Sequence, residues 1–187
     1  MVVAHPVGAF PDAAGHAARF HYPKTMRCLT SSEIHKWLAG QGMHHQPLDG
    51  GVPVAGDFPM PAERRARLQF ASYLADLLAK DGNKLVEILP GPQQRPEEWE
   101  QIRHFRGALD ETRSAATAPG HLFKSGDRAH FRGMLAMLLG FETSWSFYIY
   151  SAPSHTTLLV HDGIEVWSAK KGLRNELARH LLPQRAA

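Results

Sequence analysis

The chain has one cysteine, Cys28, in 187 residues. A lone thiol forms neither an internal disulfide nor an all-cysteine metal site, and its solitude fits a reducing compartment. The sequence also lacks any run of about 18 apolar residues, and its N-terminus lacks the charged start and apolar stretch of a secretory signal. These absences lead us to expect a soluble, cytoplasmic chain with no membrane partner. Charge of one sign is missing too, since 21 basic residues against 18 acidic ones leave a formal +3. The basic residues are dispersed through ERRAR, IRHFR, DRAHFR and AKKGLR, which argues against a nucleic-acid partner, because such binders concentrate Lys and Arg on one face. No Gly-rich strand-to-helix turn cradles a phosphate, and no HExxH, HxH or paired CxxC offers metal-ligand spacing. No cofactor and no metal are expected. His44 with His45, and Glu100 with His104 four residues on, supply at most two ligands each, and the second pair reads more simply as an exposed helical ion pair.

What is present is enough apolar sequence for one domain, and a chain of this length buries roughly 70% of the surface its unfolded form exposes. Residues 1–24 are rich in Ala, Gly, Pro and His without any period and read as an irregular arm, leaving 25–187 as a single domain.

The firmest helix is RAHFRGMLAMLLG, in which Phe131, Met134, Leu135 and Leu138 recur at helical spacing, with Ser125 or Asp127 to cap its start and Gly140 to end it. Other helices follow the same logic. Ile34, Trp37 and Leu38 mark a short one capped by Ser31 or Ser32. Phe70, Tyr73, Leu74, Leu77 and Leu78 form the stripe of one that starts at Pro61, and Pro96 opens another with Glu97 and Glu98 at the positive end of its dipole. Leu173, Leu177 and Leu181 mark the last, capped by Ser168 and stopped by Pro183. Between the first two helices, HHQPLDGGVPVAGDFPMP makes a loop of about eighteen residues, long enough to be functional or wrapped over the core. ETRSAATAPG reads as a second, polar loop.

After Gly140 the period falls to two, and TSWSFYIYS and HTTLLVHDGIEVWS read as a three-stranded meander over 143–168. Its last hairpin is centred on Asp162-Gly163, the pair favoured by two-residue type I′ turns. The sheet can be extended by 84–90 (KLVEILP, whose poor alternation implies burial on both faces) and by 26–30 (MRCLT). The fold class is therefore α+β, an antiparallel meander packed with several helices. That register places Trp145, Phe147, Ile149, Leu158, Val160 and Trp167 on one face. Ser146, Tyr148, Tyr150, Thr157, Leu159, His161, Ile164 and Val166 fall on the other. The second face is too apolar for water, so either the helix of 62–80 or a second copy of the chain should cover it.

Four places have chemistry in them. Ser146 lies across from His161, with Asp162 next along the chain, a thin basis for nucleophilic catalysis without a G-x-S-x-G turn. Cys28, near Lys24, Arg27 and His35, is either a reactive thiol or a small buried apolar side chain beside Met26 and Leu29. Lys170 and Lys171 occupy a first helical turn where the dipole disfavours cations, so with Ser168 they could hold an anion. Tyr150 and His155 form a rim that could meet a protein or small-molecule partner. With no full catalytic constellation, the sequence favours a non-enzymatic binding or interaction domain, and the alternative is a small hydrolase-like enzyme using His161 with Ser146 or Asp162.

Overall fold

The computed structural model describes residues 26–79, 82–141, 145–152, 154–168 and 170–181, so the arm expected over 1–24 lies outside it. Seven strands form one antiparallel sheet: β1 (Met26–Leu29), β2 (Gly56–Pro59), β3 (Lys84–Leu89), β4 (Gly120–Phe123), β5 (Ser146–Ser151), β6 (Thr156–Val160) and β7 (Gly163–Ser168). Their spatial order is β1-β4-β3-β5-β6-β7-β2. Five helices complete the α+β fold: α1 (Ser31–Gly40), α2 (Arg64–Ala79), α3 (Pro96–Gly107), α4 (Arg128–Gly140) and α5 (Lys171–Leu181). No helix of the described residues is long and apolar enough to cross a membrane.

Strand registers align Cys28, His121, Val86, Ile149, Leu158, Val166 and Gly56 in one row across all seven strands. This row lies on the face that packs against Phe70, Leu74 and Leu78 of α2, Ile102 of α3, Met134 and Leu138 of α4, and Leu177 of α5. α4 is central, as its apolar turns imply, but Asp127 does not cap it. The Asp127 carboxylate instead accepts the Lys124 N–H at 2.9 Å in the turn before the helix. Nor do Ser31 or Ser32 cap α1. Thr30 does, in a capping box with Glu33, the Thr30 hydroxyl accepting the Glu33 N–H and the Glu33 carboxylate the Thr30 N–H. α2 begins at Arg64, three residues after the expected Pro61.

The opposite face joins Leu29, Leu85, Tyr148, Tyr150, Leu159 and Trp167, and its cover is α1 together with the loop that follows it. Ile34 and Leu38 of α1 pack there, joined by Met43 and Val52 of the long loop, and the Trp167 indole N–H donates to the Val52 carbonyl at 2.9 Å. The chain thus covers the face itself, but with the loop read as undecided and not with the helix of 62–80, whose Phe70 and Leu74 serve the other core. Side chains such as Tyr148 and Leu159 contribute roughly 1.5–3 kcal/mol each when fully buried, so the loop's cover is worth retaining. Gly120 is what lets α1 sit this close. A Cβ there would stand 2.8 Å from Ile34 Cγ1 and 2.9 Å from its Cδ1.

One expectation is overturned in β7. The β5–β6 register is as read, with Phe147 opposite Val160, but Val160 then pairs with Ile164, leaving His161, Asp162 and Gly163 as a three-residue loop. Neither Asp162 nor Gly163 has the positive φ of a type I′ turn. The extra loop residue shifts β7 by one and reverses its faces, so Ile164 and Val166 point into the helix-covered core while Trp167 points to the loop-covered face.

Candidate functional site

The residues expected to carry hydrolase chemistry are neighbours in the β5–β6 register but form no hydrogen-bonded set among the described residues. His161 bonds Glu165 through Nε2 at 3.1 Å, no hydrogen bond joins it to Ser146, and Asp162 is exposed at the hairpin tip. Cys28 is fully buried in the sheet row beside His121, where burial pushes its thiol up to about 11, the surroundings of a small apolar side chain. Tyr150 is fully buried and so forms no rim, whereas His155 is exposed at a turn with φ 43°. Ser168 Oγ accepts the Lys170 N–H at 3.1 Å ahead of α5 and bonds Thr156 Oγ1 at 2.8 Å, so it is committed to the chain; the Lys171 side chain lies outside the described residues. Glu100 pairs with Arg103 and not with His104, and no group of three or more metal-ligating side chains gathers among the described residues.

Two buried polar clusters do assemble, one under each face. The first pins the long loop. Glu87, in the middle of the interior strand β3, accepts the Tyr150 hydroxyl at 2.9 Å on one oxygen; the other meets His45 Nε2 at 2.9 Å and the Gln46 side-chain amide at 3.3 Å. The Gln46 backbone N–H in turn donates to the Tyr150 oxygen at 3.2 Å, and Gln46 adopts φ 43° to reach it. Burial, followed by the charge of Glu87, holds the Tyr150 hydroxyl protonated. The carboxylate orients the His45 ring, which meets the His35 ring at 3.9 Å between centroids with a tilt of 39°. Among the described residues these bonds tie the loop after α1 to β3 and β5, so the cluster works as a latch.

The second cluster lies beneath α3. Arg106 is 1% exposed, and its Nε–H donates to His121 Nε2 at 2.9 Å while its terminal nitrogens donate to the carbonyls of Arg113 and Ala118. Burial, then the Arg106 charge, holds the His121 ring neutral with a pKa lowered to about 3, which leaves Nε2 as the acceptor Arg106 requires. The guanidinium therefore has three neutral acceptors and no carboxylate within ion-pairing distance among the described residues. Glu111 lies near but is committed to Arg113, which grips it at 2.7 and 2.9 Å and drives its carboxyl down to about 2.

Arg106 also lines a cleft of about 330 Å³ between α3 and the loop of 111–116, walled by Trp99, Ile102 and Ala115. Clefts of similar size, about 330 and 340 Å³, are lined mainly by charged or polar groups, among them Arg95, Glu97 and Gln101 in one and Glu176 and Arg179 in the other. The α3 cleft alone of these combines apolar walls with a buried cation, the mixture typical of small-molecule sites. Its signal in the sequence was Arg106 itself, four residues after Ile102 and so on the helix's inner face. Glu87, likewise missed, is the one charge inside the run LVEIL. Comparison with family models, with curated proteins and with solved structures gives no match to this chain.

Proposed function

We propose that this chain is a binding domain, and that the cleft between α3 and residues 111–116 takes a small, largely apolar molecule. The observation that carries the reading is the cleft's lining: Trp99, Ile102 and Ala115 present apolar surface at a concave site of about 330 Å³, a volume at the lower end of small-molecule sites. A rigid helix forms one wall and a loop of small residues, Ser114 to Ala116, forms the other. Such a loop is held in place rather than loose. Arg113 reaches from it to the Cys28 carbonyl at 2.8 Å, and the Thr117 N–H is taken by the Ser114 carbonyl and hydroxyl. Preformed walls lower the ordering cost of binding.

The test is a fluorescence titration with the naphthalene dyes N-phenyl-1-naphthylamine and 1-anilinonaphthalene-8-sulfonate, on protein with native near-UV circular dichroism. Saturable one-to-one binding of at least one dye, abolished by Ala116→Trp at the exposed rim, is the expected result. Absence of saturable binding for both dyes, or binding unaffected by Ala116→Trp, would rule the cleft out.

A further inference from the structure

We infer that the ligand of the α3 cleft carries a single anionic group, read by Arg106, on an apolar body; this rests on the cleft being the binding site. The argument is one of charge. Arg103 has Glu100, and Arg113 has Glu111, but among the described residues Arg106 bonds only the His121 ring and two backbone carbonyls, all neutral. Buried guanidinium groups are costly without a counter-charge, and the cost is ordinarily met by a carboxylate in direct contact. Here Arg106 is 1% exposed and belongs to the cleft's lining, and its guanidinium is the group we assign to meet a ligand there.

The donor inventory agrees. A guanidinium has five N–H groups in a planar fork, and the three bonds described use one on each nitrogen, leaving one hydrogen on each terminal nitrogen for an acidic oxygen. The bonds to His121 and to the Arg113 and Ala118 carbonyls fix the plane of that fork before any ligand arrives. Fixing the fork favours a planar or tetrahedral acid over a neutral head. Trp99, Ile102 and Ala115 offer an apolar patch beside the paired Glu100–Arg103 and Glu111–Arg113, which suits an apolar body on the ligand and separates it from a bare inorganic anion.

The two dyes named above form a matched pair, since they share their rings and differ in the sulfonate. The expected result is that the sulfonate dye binds at least tenfold more tightly than the neutral one, that Arg106→Met removes the difference, and that inorganic phosphate at millimolar concentration fails to compete. Should Arg106→Met not fold, Ala116→Asp places a like charge at the exposed rim and is expected to weaken the sulfonate dye several-fold while sparing the neutral one. Equal affinities for the two dyes overturn the anionic ligand and leave the cleft standing. Competition by phosphate alone overturns the apolar body. Binding of neither dye removes the cleft and this inference with it.

Discussion

Tyr150 donates its hydroxyl to the Glu87 carboxylate at 2.9 Å across the middle of the sheet, and through that pair the loop after α1 is fastened to a strand more than forty residues away. Without Tyr150 the carboxylate keeps His45 and Gln46 but has one oxygen left in a buried place without its donor, 3% exposed as Glu87 is. Leaving a buried acceptor unsatisfied costs about 1–3 kcal/mol. Tyr150→Phe is therefore expected to lower the free energy of unfolding by that amount in a denaturant titration and to speed hydrogen exchange of the amides from Met43 to Val52. Unchanged exchange in that segment would show that the latch does not hold the loop.

The thiol of Cys28 offers a direct reading of burial. Because desolvation raises it to about 11 and the residue is fully enclosed, only a small thiolate fraction exists at pH 8, and a reagent cannot reach it in the closed state. Labelling by a disulfide reagent is expected to be slow in native protein and to accelerate by orders of magnitude in denaturant. Fast native labelling would mean that β1 opens at the sheet's edge.

The reversal of β7 gives a prediction on stability. Val166 is 0% exposed in the helix-covered core, while its neighbour Glu165 lies on the other face against His161. Val166→Ala should cost about 2–3 kcal/mol for lost burial and the cavity left behind. Glu165→Ala should cost less than half as much in the same urea titration. The opposite order would restore the two-residue turn and the slipped register.

That strand also shows how far the sequence could be read. Alternation of Phe147, Tyr148, Ile149 and Tyr150 was enough to set β5 against β6, because a period of two leaves one register that buries both partners. Asp162-Gly163 misled, since the pair signals a two-residue turn and the chain instead uses His161 as a third loop residue. β4 and β2 were invisible for a different reason. GHLF and GDFP are four residues each and contain Gly or Pro, so their pairing depends on neighbours distant in sequence and not on local propensity. The same holds for the site. Neither Arg106 nor Glu87 was singled out from the sequence, although each is a charge among apolar neighbours, and their partners His121 and Tyr150 are supplied only by the sheet register.

His121 should make stability pH-dependent in a window set by its two pKa values. In the unfolded chain it titrates near 6.5, and in the fold burial and Arg106 lower it to about 3. Between these values the unfolded chain binds a proton that the folded one does not, so the stabilisation is complete above pH 6.5 and declines as the pH falls toward 3. The slope is about 1.4 kcal/mol per pH unit for one proton. Comparing His121→Gln with the parent by urea titration from pH 7 to pH 5 isolates this group from the other histidines and stays above the range where carboxylates titrate. The parent is expected to lose about 1–2 kcal/mol more than the variant over that span. Parallel pH profiles would mean that His121 takes up a proton in the fold, and Arg106 would then lack its acceptor.

Gly120 carries the last prediction, because it decides how closely α1 approaches the sheet. The positions flanking it in its row, Leu29 on β1 and Glu87 on β3, bear side chains, and at Gly120 Ile34 descends onto the strand backbone. A methyl group there would meet Ile34 Cγ1 at 2.8 Å, Ile34 Cδ1 at 2.9 Å and Leu29 Cβ at 3.1 Å. Ile34 is 0% exposed in a close-packed interior, so α1 must lift or a side chain must shift to admit the methyl. Overpacking of this kind costs about 1–3 kcal/mol. Gly120→Ala should be destabilised by that amount, and Ile34→Ala should cost about 2–5 kcal/mol by itself, as a cavity. In the double variant the new methyl occupies part of the space that Ile34 vacates, so the two losses should sum to more than the measured one, by at least about 1 kcal/mol in a double-mutant cycle. Additive losses would show that α1 is not seated on Gly120, and the account of how the loop-covered face is closed would fall with it.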